Sequence, residues 1–463
     1  MSVELKTQIL VGAASSGSGK TTFTLGLLRA LRNRGISVQP YKCGPDYIDT
    51  QYHSLAAGRD SVNLDLFMGG REHVKEVYSR YGNDAQVAVV EGVMGLFDGY
   101  HKMEGSAAQI AQTLDIPVLL VVNAKSCAYS VAATIYGFKN FCPDVKIAGI
   151  VFNMVGSPSH YAILKDACAE LDIPVLGYLP KNAAVEIPSR HLGLSLDSDY
   201  LFDDFAQKVA ALVEEYVDID ALLEIFKVEE LCAVEESANE AGTEVIAVAK
   251  DEAFNFIYRE NLHALGKLGQ VEFFSPINDN HLPDRTSLLY LPGGYPELYL
   301  EQLEANSTLR SSIKEYIEAG GKAVAECGGM MYLCNAIRNE EGKPFSMCRV
   351  LPQEATMEGK RLHIGYRQFE YAGKQVRGHE FHYSKVLEPK AAGQAAGEAA
   401  GQAAGEDSKL AAADAAKLQS AAQLYTARGA KTSTPLYRYK NLIAGYTHLY
   451  WGNMNILELF EEK

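Results

Sequence analysis

Short apolar runs alternate with helix-like stretches along most of this sequence, and this alternation restricts the fold more than any other feature. The first series extends to about Ser189 and consists of TQILVGAA, ISVQPYKC, QVAVVEGV, IPVLLVVNA, KIAGIVFNMV and IPVLGYLP. A second series consists of TEVIAVAKD, QVEFFSP, SLLYLPGG and GKAVAECGG. Apolar strands separated by helices are typical of parallel sheets covered by helices on both faces. The sequence therefore predicts an α/β protein with two doubly wound domains.

The length and the local composition suggest where these domains begin and end. A chain of 463 residues is too long for one hydrophobic core. The acidic, helix-prone stretch that ends in EESANEAG lacks an apolar period, so we place a helical connection at 200–242 between domains at 1–199 and 243–463. In the second domain, AAGQAAGEAAGQAAGE at 391–406 repeats every eight residues and cannot bury a face. It is predicted to be a flexible surface insertion without chemistry.

The composition excludes several classes of function. Lys and Arg number 43 against 58 Asp and Glu, a net charge of -15, which argues against a protein that grips nucleic acid or a membrane. The eight cysteines form no CxxC pair and no Cys/His cluster, so we expect neither disulfides nor a structural metal. The sequence shows no secretion signal and no run of about 18 apolar residues, and a cytoplasmic location is expected.

A glycine-rich loop near the N-terminus has the strand before it and the helix after it that a P-loop requires. In ILVGAASSGSGKTTFTLGLL, Gly17 and Gly19 let backbone N–H groups approach phosphate oxygens, and Lys20 can reach the β- and γ-phosphates. Ser18 and Thr22 complete the predicted ATP site, together with Thr21, whose hydroxyl is placed to bind Mg²⁺. The loop is a variant, because the strict pattern has glycine at the position of Ala14.

Acidic residues follow two strands of the first domain, where ligands bind in open α/β sheets. Asp46 and Asp49 lie in KCGPDYID, and Glu91 and Asp98 lie in VVEGVMGLFDG. Glu91 is the firmest of the four, because it follows four apolar residues directly. We predict that Asp46 and Glu91 join Thr21 as Mg²⁺ ligands. The alternative is that these acids are ordinary turn residues.

Cys327 lies on a tight glycine turn in KAVAECGGMMYL, between a strand and a helix. This arrangement exposes a nucleophile in α/β-hydrolases, and the start of a helix lowers a thiol pKa. The backbone N–H groups of Gly294, in LPGGYPE, and Gly328 are placed to form an oxyanion hole. His448, in IAGYTHLYWGN, is the predicted base. The alternative is that Cys327 is a small buried core residue.

These pieces, in this order on an α/β domain, resemble the class I glutamine amidotransferase domain, which implies a flavodoxin-like fold. One position departs from that pattern, because the usual His-x-Glu has Tyr450 in place of the glutamate. The group that orients His448 is therefore not identified.

The whole chain resembles the cobyrinic acid a,c-diamide synthase family of cobalamin biosynthesis. Besides the P-loop, the resemblance rests on KCGPDYID, VEGVMGLFDG, PSRHLGL, LPGGYPELY, AECGGMMYL and RGHEFHYS. It implies a P-loop NTPase-like first domain and ATP-dependent amidation of two carboxylates of a cobalt corrinoid through an acyl phosphate, with glutamine as nitrogen donor. Cys327 would release the ammonia, and we expect a channel to carry it between the domains.

The resemblance also implies a polyanionic tetrapyrrole substrate, for which the chain offers basic and polar candidates. Lys42, Asp49, Asp98, Arg190 and His191 are predicted to bind or activate this substrate. Three residues of the second domain are further candidates: Arg367, Glu380 and His382. A surface role is the alternative for the basic residues, and pocket scaffolding is the alternative for Glu380 and His382. We expect ATP as cosubstrate, with Mg²⁺ as cofactor, and no nucleic-acid or membrane partner. A homodimer is left open.

Two other functions remain open from the sequence. A nickel-sirohydrochlorin a,c-diamide synthase would use the same motifs on a different tetrapyrrole. A P-loop ATPase switch, similar to the partition and septum-positioning ATPases, would use the second half only to recruit partners. Those switches carry a second lysine early in the P-loop, and AASSGSGKT has none.

Overall fold

The computed structural model describes residues 5–182, 199–229, 242–371, 373–387 and 418–461. Its contacts divide the chain into two compact units, residues 1–237 and 238–463. Arg190, His191 and the 391–406 insertion lie outside the described residues. In the described ranges, no helix has the length and hydrophobicity needed to cross a bilayer.

The N-terminal unit is built on one mainly parallel sheet. Its strands are β1 (Leu5–Ala13), β2 (Val38–Cys43), β3 (Val62–Leu64), β4 (Val87–Glu91), β5 (Val118–Asn123), β6 (Ile147–Val155), β7 (Val175–Pro180) and β8 (Lys227–Glu229). Its helices are α1 (Lys20–Asn33), α2 (Ile48–Ala57), α3 (Arg71–Gly82), α4 (Ala107–Leu114), α5 (Val131–Phe141), α6 (Pro158–Ala167), α7 (Asp199–Tyr216) and α8 (Ile219–Ile225). The parallel strands run in the order β3-β2-β4-β1-β5-β6-β7, and β8 pairs antiparallel with β1.

Helices cover both faces of this sheet, because successive side chains of a strand point to opposite sides. Leu10 of β1 belongs to the core beneath α3, α4, α5 and α6, whereas Ile9 and Val11 belong to the core beneath α1, α2, α7 and α8. Strands that are buried on both faces consist of uninterrupted runs of apolar residues, and such runs in the sequence predicted this sheet.

The predicted helical connection contributes to the N-terminal core in its described part. α7 packs against α1 and is joined to it by ion pairs of Arg29 with Asp203 (2.5 Å) and Arg34 with Glu214 (2.6 Å). Val213 of α7 is fully buried in that core. The acidic stretch therefore includes a helix with one apolar face, while the proposed domain boundaries remain a prediction.

The C-terminal unit has more strands than helices. Its strands are β9 (Glu244–Ala249), β10 (Gly269–Phe274), β11 (Leu288–Leu291), β12 (Lys322–Glu326), β13 (Ala336–Arg338), β14 (Pro344–Ser346), β15 (Glu354–Thr356), β16 (His363–Tyr371), β17 (Lys374–His382), β18 (Lys385–Leu387), β19 (Gln419–Ser420), β20 (Tyr425–Thr426), β21 (Leu436–Tyr439), β22 (Leu442–Gly445) and β23 (Thr447–Leu449). Its helices are α9 (Arg259–Leu268), α10 (Leu300–Ala305), α11 (Ser307–Glu318) and α12 (Gly328–Leu333), with 3₁₀ turns at Pro296–Leu298 and Ile456–Phe460.

The largest sheet of this unit runs β10-β9-β11-β12-β22-β21-β19. Its first five strands are parallel and, numbered in chain order, give the arrangement 2-1-3-4-5 of flavodoxin-like folds. Two four-stranded sheets are added, β14-β13-β15-β18 and β20-β16-β17-β23. The predicted fold class is confirmed, and the added sheets are a feature that the sequence analysis did not identify.

Candidate active sites

The P-loop between β1 and α1 has its shape fixed by glycine conformations and by one amide. Gly17 and Gly19 have φ of 75° and 92°, values that favour glycine. A Cβ on Gly19 would lie 1.9 Å from Nδ2 of Asn153 in β6, and this amide donates to the Ser18 carbonyl at 3.0 Å. The Ser18 hydroxyl donates to the Ser15 carbonyl at 2.9 Å. Asn153 was missed by the sequence analysis, although a buried polar residue inside the apolar run KIAGIVFNMV could have indicated it.

Lys20 begins α1 and is buried at the base of the loop. Its ammonium donates to the carbonyl oxygens of Ser15, at 3.3 Å, and Met94. A phosphate is a stronger partner than these carbonyls, because it carries a charge. Thr22 follows as a half-buried residue of the first helical turn. The arrangement can bind a phosphate between the helix start and the lysine.

A buried charge cluster lies beside the P-loop. It is composed of Thr21, Lys42, Asp49, His53 and Glu91, all of which are buried. The Lys42 ammonium contacts Asp49 Oδ2 at 2.6 Å and Glu91 Oε1 at 2.8 Å. Glu91 Oε1 also accepts from the Thr21 hydroxyl at 2.6 Å, and Glu91 Oε2 lies 2.6 Å from His53 Nε2. His53 was not identified from the sequence.

The opposite charges in this cluster outweigh the effect of burial. Burial by itself lowers the pKa of Lys42, but the charges of Glu91 and Asp49 raise it well above its usual range. Burial by itself raises the pKa of Glu91, but Lys42 and His53 hold it well below its usual range. Glu91 and Lys42 are therefore both ionised at neutral pH.

Asp46 lies at the start of α2. Its Oδ1 accepts from the backbone N–H groups of Ile48 (3.0 Å) and Asp49 (2.8 Å) at the start of α2. Burial, followed by the charge of Asp49, raises the pKa of Asp46 to about 6. The acids that adjoin the Thr21 hydroxyl are Glu91, with Oε1 at 2.6 Å, and Asp49, with Oδ2 at 3.4 Å.

The donor set beside the P-loop suits Mg²⁺. Hydroxyl and carboxylate oxygens are its preferred ligands, and it is usually held by one or two carboxylates together with substrate phosphates. Such oxygens are supplied by Thr21, Glu91 and Asp49. Asp46 lies just before α2, the helix that carries Asp49. Within the described ranges, no group of three or more His, Cys, Asp or Glu side chains forms a site that would hold a metal by itself.

The loop after β4 brings Asp98 near the start of the P-loop. The N–H of Leu96 donates to the Ala13 carbonyl at 2.8 Å, which holds this loop against the end of β1. Asp98 is exposed, and its Oδ2 accepts from the Gly95 N–H at 3.1 Å. Arg190 and His191, the other predicted substrate contacts, lie outside the described residues.

Cys327 lies in a strained turn between β12 and α12. Its φ of 48° and ψ of -108° are unusual for a residue with a side chain, and such strain is typical of nucleophile elbows. The backbone N–H of Cys327 donates to the Gly445 carbonyl at 2.7 Å, and its Sγ lies 3.7 Å from the Phe381 carbonyl oxygen. Burial, followed by the charge of Glu297, raises the pKa of the thiol well above its usual range. The expected lowering of this pKa is therefore not seen, and a base is needed to remove the proton.

Three glycines closely surround this turn. A Cβ on Gly328 would lie 3.1 Å from the backbone nitrogen of Gly294, so the two predicted oxyanion-hole residues are neighbours. A Cβ on Gly293 would lie 2.1 Å from Cε1 of His448. The LPGGYPE turn therefore contacts both the Cys327 elbow and the His448 ring.

His448 lies on β23, opposite His379 of β17 in an antiparallel pair. It is fully buried, and burial, followed by the neighbouring histidines, lowers its pKa to about 3. The imidazole is therefore neutral at pH 7, the form that a proton acceptor must have, while the lowered pKa makes it a weaker base than an exposed histidine. Tyr450, at the position of the usual glutamate, packs its ring against Tyr258 with centroids 5.5 Å apart.

The polar residues of RGHEFHYS form their own network beside Cys327. Glu380 pairs with Arg367, lies 3.3 Å from His382 Nε2 and accepts from the Thr434 hydroxyl at 3.2 Å. The His382 ring stacks on Tyr446 at 3.6 Å between centroids. The half-buried Arg367 is thus paired with a buried carboxylate, and this network favours the scaffolding alternative for Glu380 and His382.

The fold and the two sites define a two-domain α/β protein that joins a P-loop nucleotide-binding domain to a glutamine amidotransferase domain. Residues 9–194 match the family of CobQ/CobB/MinD/ParA nucleotide binding domains, and residues 245–456 match the CobB/CobQ-like glutamine amidotransferase domains.

Similar chains carry more specific names. The chain is 40% identical to the cobyrinate a,c-diamide synthase of Caldanaerobacter subterraneus subsp. tengcongensis, over 81% of this chain and 86% of the relative. It is 41% identical to that of Listeria innocua serovar 6a, over 81% and 87%. It is 40% identical to the hydrogenobyrinate a,c-diamide synthase of Brucella abortus biovar 1, over 83% and 90%. The chain belongs to the a,c-diamide synthase family of glutamine-dependent amidating ligases, which confirms the resemblance.

Proposed function

We propose that this chain uses ATP and glutamine to amidate the a and c carboxylates of a cobyrinate-type corrinoid. The observation that carries the proposal is the position of Cys327, on a strained elbow beside a glycine turn that contacts His448. A P-loop on the other unit of the same chain supplies the site for ATP. The relatives named for cobyrinate and hydrogenobyrinate support the choice of substrate.

The N-terminal unit would activate the carboxylate. A carboxylate oxygen attacks the γ-phosphorus of ATP, ADP leaves, and an acyl phosphate forms. Lys20, with the α1 start, stabilises charge on the transferred group. Thr21, Glu91 and Asp49 or Asp46 would hold Mg²⁺, which neutralises phosphate charge when bound. Ammonia then attacks the acyl carbon, and phosphate leaves.

The remaining polar residues of this unit have supporting roles in the proposal. Lys42 pairs with Asp49 and helps to hold the pKa of Glu91 low, so its part in substrate binding would be indirect. Asp98, which is exposed beside the loop, is a candidate for contact with the substrate. Arg190 and His191 remain candidates from their sequence motif.

The C-terminal unit would release the ammonia. His448 accepts the Cys327 proton as the sulfur attacks the amide carbon of glutamine, and the N–H groups of Gly294 and Gly328 stabilise the oxyanion. The imidazolium returns its proton to the leaving ammonia, and a thioester remains. Water then hydrolyses the thioester to glutamate and restores the thiol.

The two half-reactions are separable by mutation. Cys327→Ala should reduce glutamine-dependent amidation by on the order of 10³-fold or more, and ammonium chloride should restore product, increasingly as pH rises. Lys20→Ala should abolish amidation with either nitrogen source. The matched control is Cys334→Ala, a buried cysteine of the same region that should retain both activities. Efficient use of glutamine by folded Cys327→Ala would refute the proposed nucleophile.

A substrate comparison tests the specific reaction. Purified protein is given ATP, glutamine and either cobyrinate, hydrogenobyrinate or nickel-sirohydrochlorin, and amide products are counted by mass spectrometry. Preference for nickel-sirohydrochlorin would replace the proposed substrate. ATP-dependent dimerisation without any glutamine turnover would support the switch alternative, which the family membership disfavours. Sedimentation of the same samples tests the homodimer.

A further inference from the structure

The residue before Cys327 is a buried glutamate whose carboxyl connects two sheets. Glu326 is 2% exposed and ends β12, a central strand of the seven-stranded sheet. Its Oε1 accepts from the backbone N–H of Leu449 at 3.1 Å, and its Oε2 accepts from the Tyr290 hydroxyl at 2.9 Å. Leu449 directly follows His448 on β23, which belongs to a different, four-stranded sheet.

The strand that carries His448 is an edge strand. β23 pairs with β17 on one side, and it ends the order β20-β16-β17-β23. The backbone groups on the open side of an edge strand need other partners when they are buried. The N–H of Leu449 is bound by Glu326, and its carbonyl accepts from Asn261 Nδ2 at 2.8 Å. The oxygen of Asn261 accepts from the Trp451 N–H at 2.8 Å.

We propose that Glu326 is a positioning residue that fixes the His448 strand relative to the Cys327 elbow. This inference rests on the proposed glutaminase function. Glu326 and Asn261 together replace the neighbouring strand that β23 lacks. Of these two, Glu326 is linked more directly to both reacting residues. It precedes Cys327 in the sequence, and it accepts a hydrogen bond from Leu449, the residue after His448. It contacts neither sulfur nor imidazole in the described contacts, so it acts through the backbone.

The proposed positioning role depends on the shape of the Glu326 side chain and on its acceptor oxygen more than on its charge. Burial raises the pKa of Glu326 to about 8, so its neutral form is favoured at neutral pH. Glutamine has the same shape and keeps a carbonyl oxygen for the Leu449 N–H. Leucine has a similar volume and no acceptor, which leaves that buried N–H without its partner.

The experiment compares Glu326→Leu with Glu326→Gln in glutamine hydrolysis. A misplacement of about 1 Å in an active site can cost about 10²-fold in rate, so Glu326→Leu should lower kcat by about that factor. Its KM should change less than about 3-fold, and amidation with ammonium chloride should match wild type. Glu326→Gln should retain kcat within about 3-fold and keep the wild-type pH profile.

The matched control is Tyr290→Phe, which removes the other partner of Glu326 together with a hydrogen bond to Asn261, and leaves the bond from the Leu449 N–H to Glu326. It should retain the wild-type kcat. Wild-type kcat in Glu326→Leu would overturn the proposal, as would a joint loss of the ammonia-dependent reaction, which would indicate a general structural role. A lost or shifted pH profile in Glu326→Gln would make Glu326 an acid or base instead. Cys327→Ala, measured in parallel, separates the two proposals: if it hydrolyses glutamine, the glutaminase assignment itself has failed.

Discussion

Each carboxylate oxygen of Glu91 has its own partners. Oε1 is bound by Lys42 and Thr21, and Oε2 is bound by His53. Such an arrangement fixes the orientation of the side chain and keeps it ionised beside the phosphate site. It also makes the stability of the N-terminal unit depend on charge balance, because a buried charge that loses its partner keeps its full desolvation cost.

Lys42→Met should therefore destabilise the protein strongly. The change leaves Asp49 and Glu91 close together in a buried site without their shared cation. Removal of one partner from a buried ion pair typically costs about 3–5 kcal/mol, and we expect a loss of that size in the free energy of unfolding at pH 7. Urea titration followed by circular dichroism measures it.

The pH dependence of the same variant checks the cause. The pKa of folded Glu91 is depressed, so its contribution to stability is present above its ordinary pKa of 4.5 and is lost as pH falls. The deficit of Lys42→Met should accordingly shrink below pH 4.5, where protonation removes the unpaired charge. The control Lys208→Met alters an exposed pair with Asp204 and should change stability by less than about 0.5 kcal/mol. A deficit independent of pH would point to lost packing instead.

The sequence indicated which residues matter here but not how they pair. Glu91 was identified because an acid follows the apolar run VAVV, and Lys42 was noted in YKCGPDYID. Their contact joins positions 49 residues apart, and no local pattern contains it. His53 lies inside an ordinary helix, where a lone histidine has no distinguishing pattern. The sequence therefore predicts Lys42 as a substrate contact, whereas the structure pairs it with Asp49 and Glu91.

The turn that follows β11 contacts both the Cys327 elbow and the His448 ring, which carry the proposed catalytic groups of the C-terminal unit. Gly293 is the contact point with His448, and Gly294 adjoins Gly328 at the elbow. Any side chain at position 293 would occupy the space of the imidazole. Position 293 therefore needs glycine because the His448 ring packs directly against its backbone. The pattern LPGG alone does not show whether a glycine is needed for such a contact or for an unusual φ.

Gly293→Ala should displace His448 and remove glutaminase activity while the protein stays folded. The added Cβ would lie 2.1 Å from the ring, which no side-chain adjustment of alanine can relieve. We expect kcat for glutamine hydrolysis to fall by about 10²-fold or more, with ammonia-dependent amidation retained. Initial rates with glutamine and with ammonium chloride measure both effects.

Gly266→Ala provides the matched control in the same unit. Gly266 lies in α9, and a Cβ there would have no heavy atom within 4 Å. Replacing a helical glycine by alanine commonly stabilises by about 0.4–1 kcal/mol, and both activities should be unchanged. Equal glutaminase rates in the two variants would contradict the assigned contact between Gly293 and His448.

The strands of the parallel sheet could be predicted from the sequence, but the pairing of the strands in the added sheets could not. The apolar runs that contain Leu10, Val90 and Val121 predicted the parallel sheet, because strands buried on both faces need continuous apolar residues. β16 and β17 were not predicted, since their burial is irregular and their partners include β23, far along the chain. The sheet that carries His448 was therefore missed, although His448 itself was identified.

At the scale of the whole molecule, the low-complexity insertion separates two strands of different sheets. β18 ends at Leu387 on the edge of one four-stranded sheet, and β19 begins at Gln419 on the edge of the seven-stranded sheet. Both flanks are thus fixed by strand pairing: Val386 pairs with Ala355, and Ser420 pairs with Tyr437. A segment that joins two fixed edges needs only enough length to span them.

Deletion of residues 391–406 should leave the protein folded and active. It removes 16 of the 30 residues at 388–417, and the remaining 14 can span up to about 46 Å when extended. Halving a loop changes its closure free energy by about 0.6 kcal/mol, so the free energy of unfolding should change by less than about 1 kcal/mol. Glutaminase and ammonia-dependent amidation should both stay within about 3-fold of wild type. A Gly/Ser segment of the original length serves as the control for composition. If a folded deletion variant loses activity and the Gly/Ser variant keeps it, the length of the insertion is required; if both lose activity, its Ala/Gly/Gln/Glu sequence has a function.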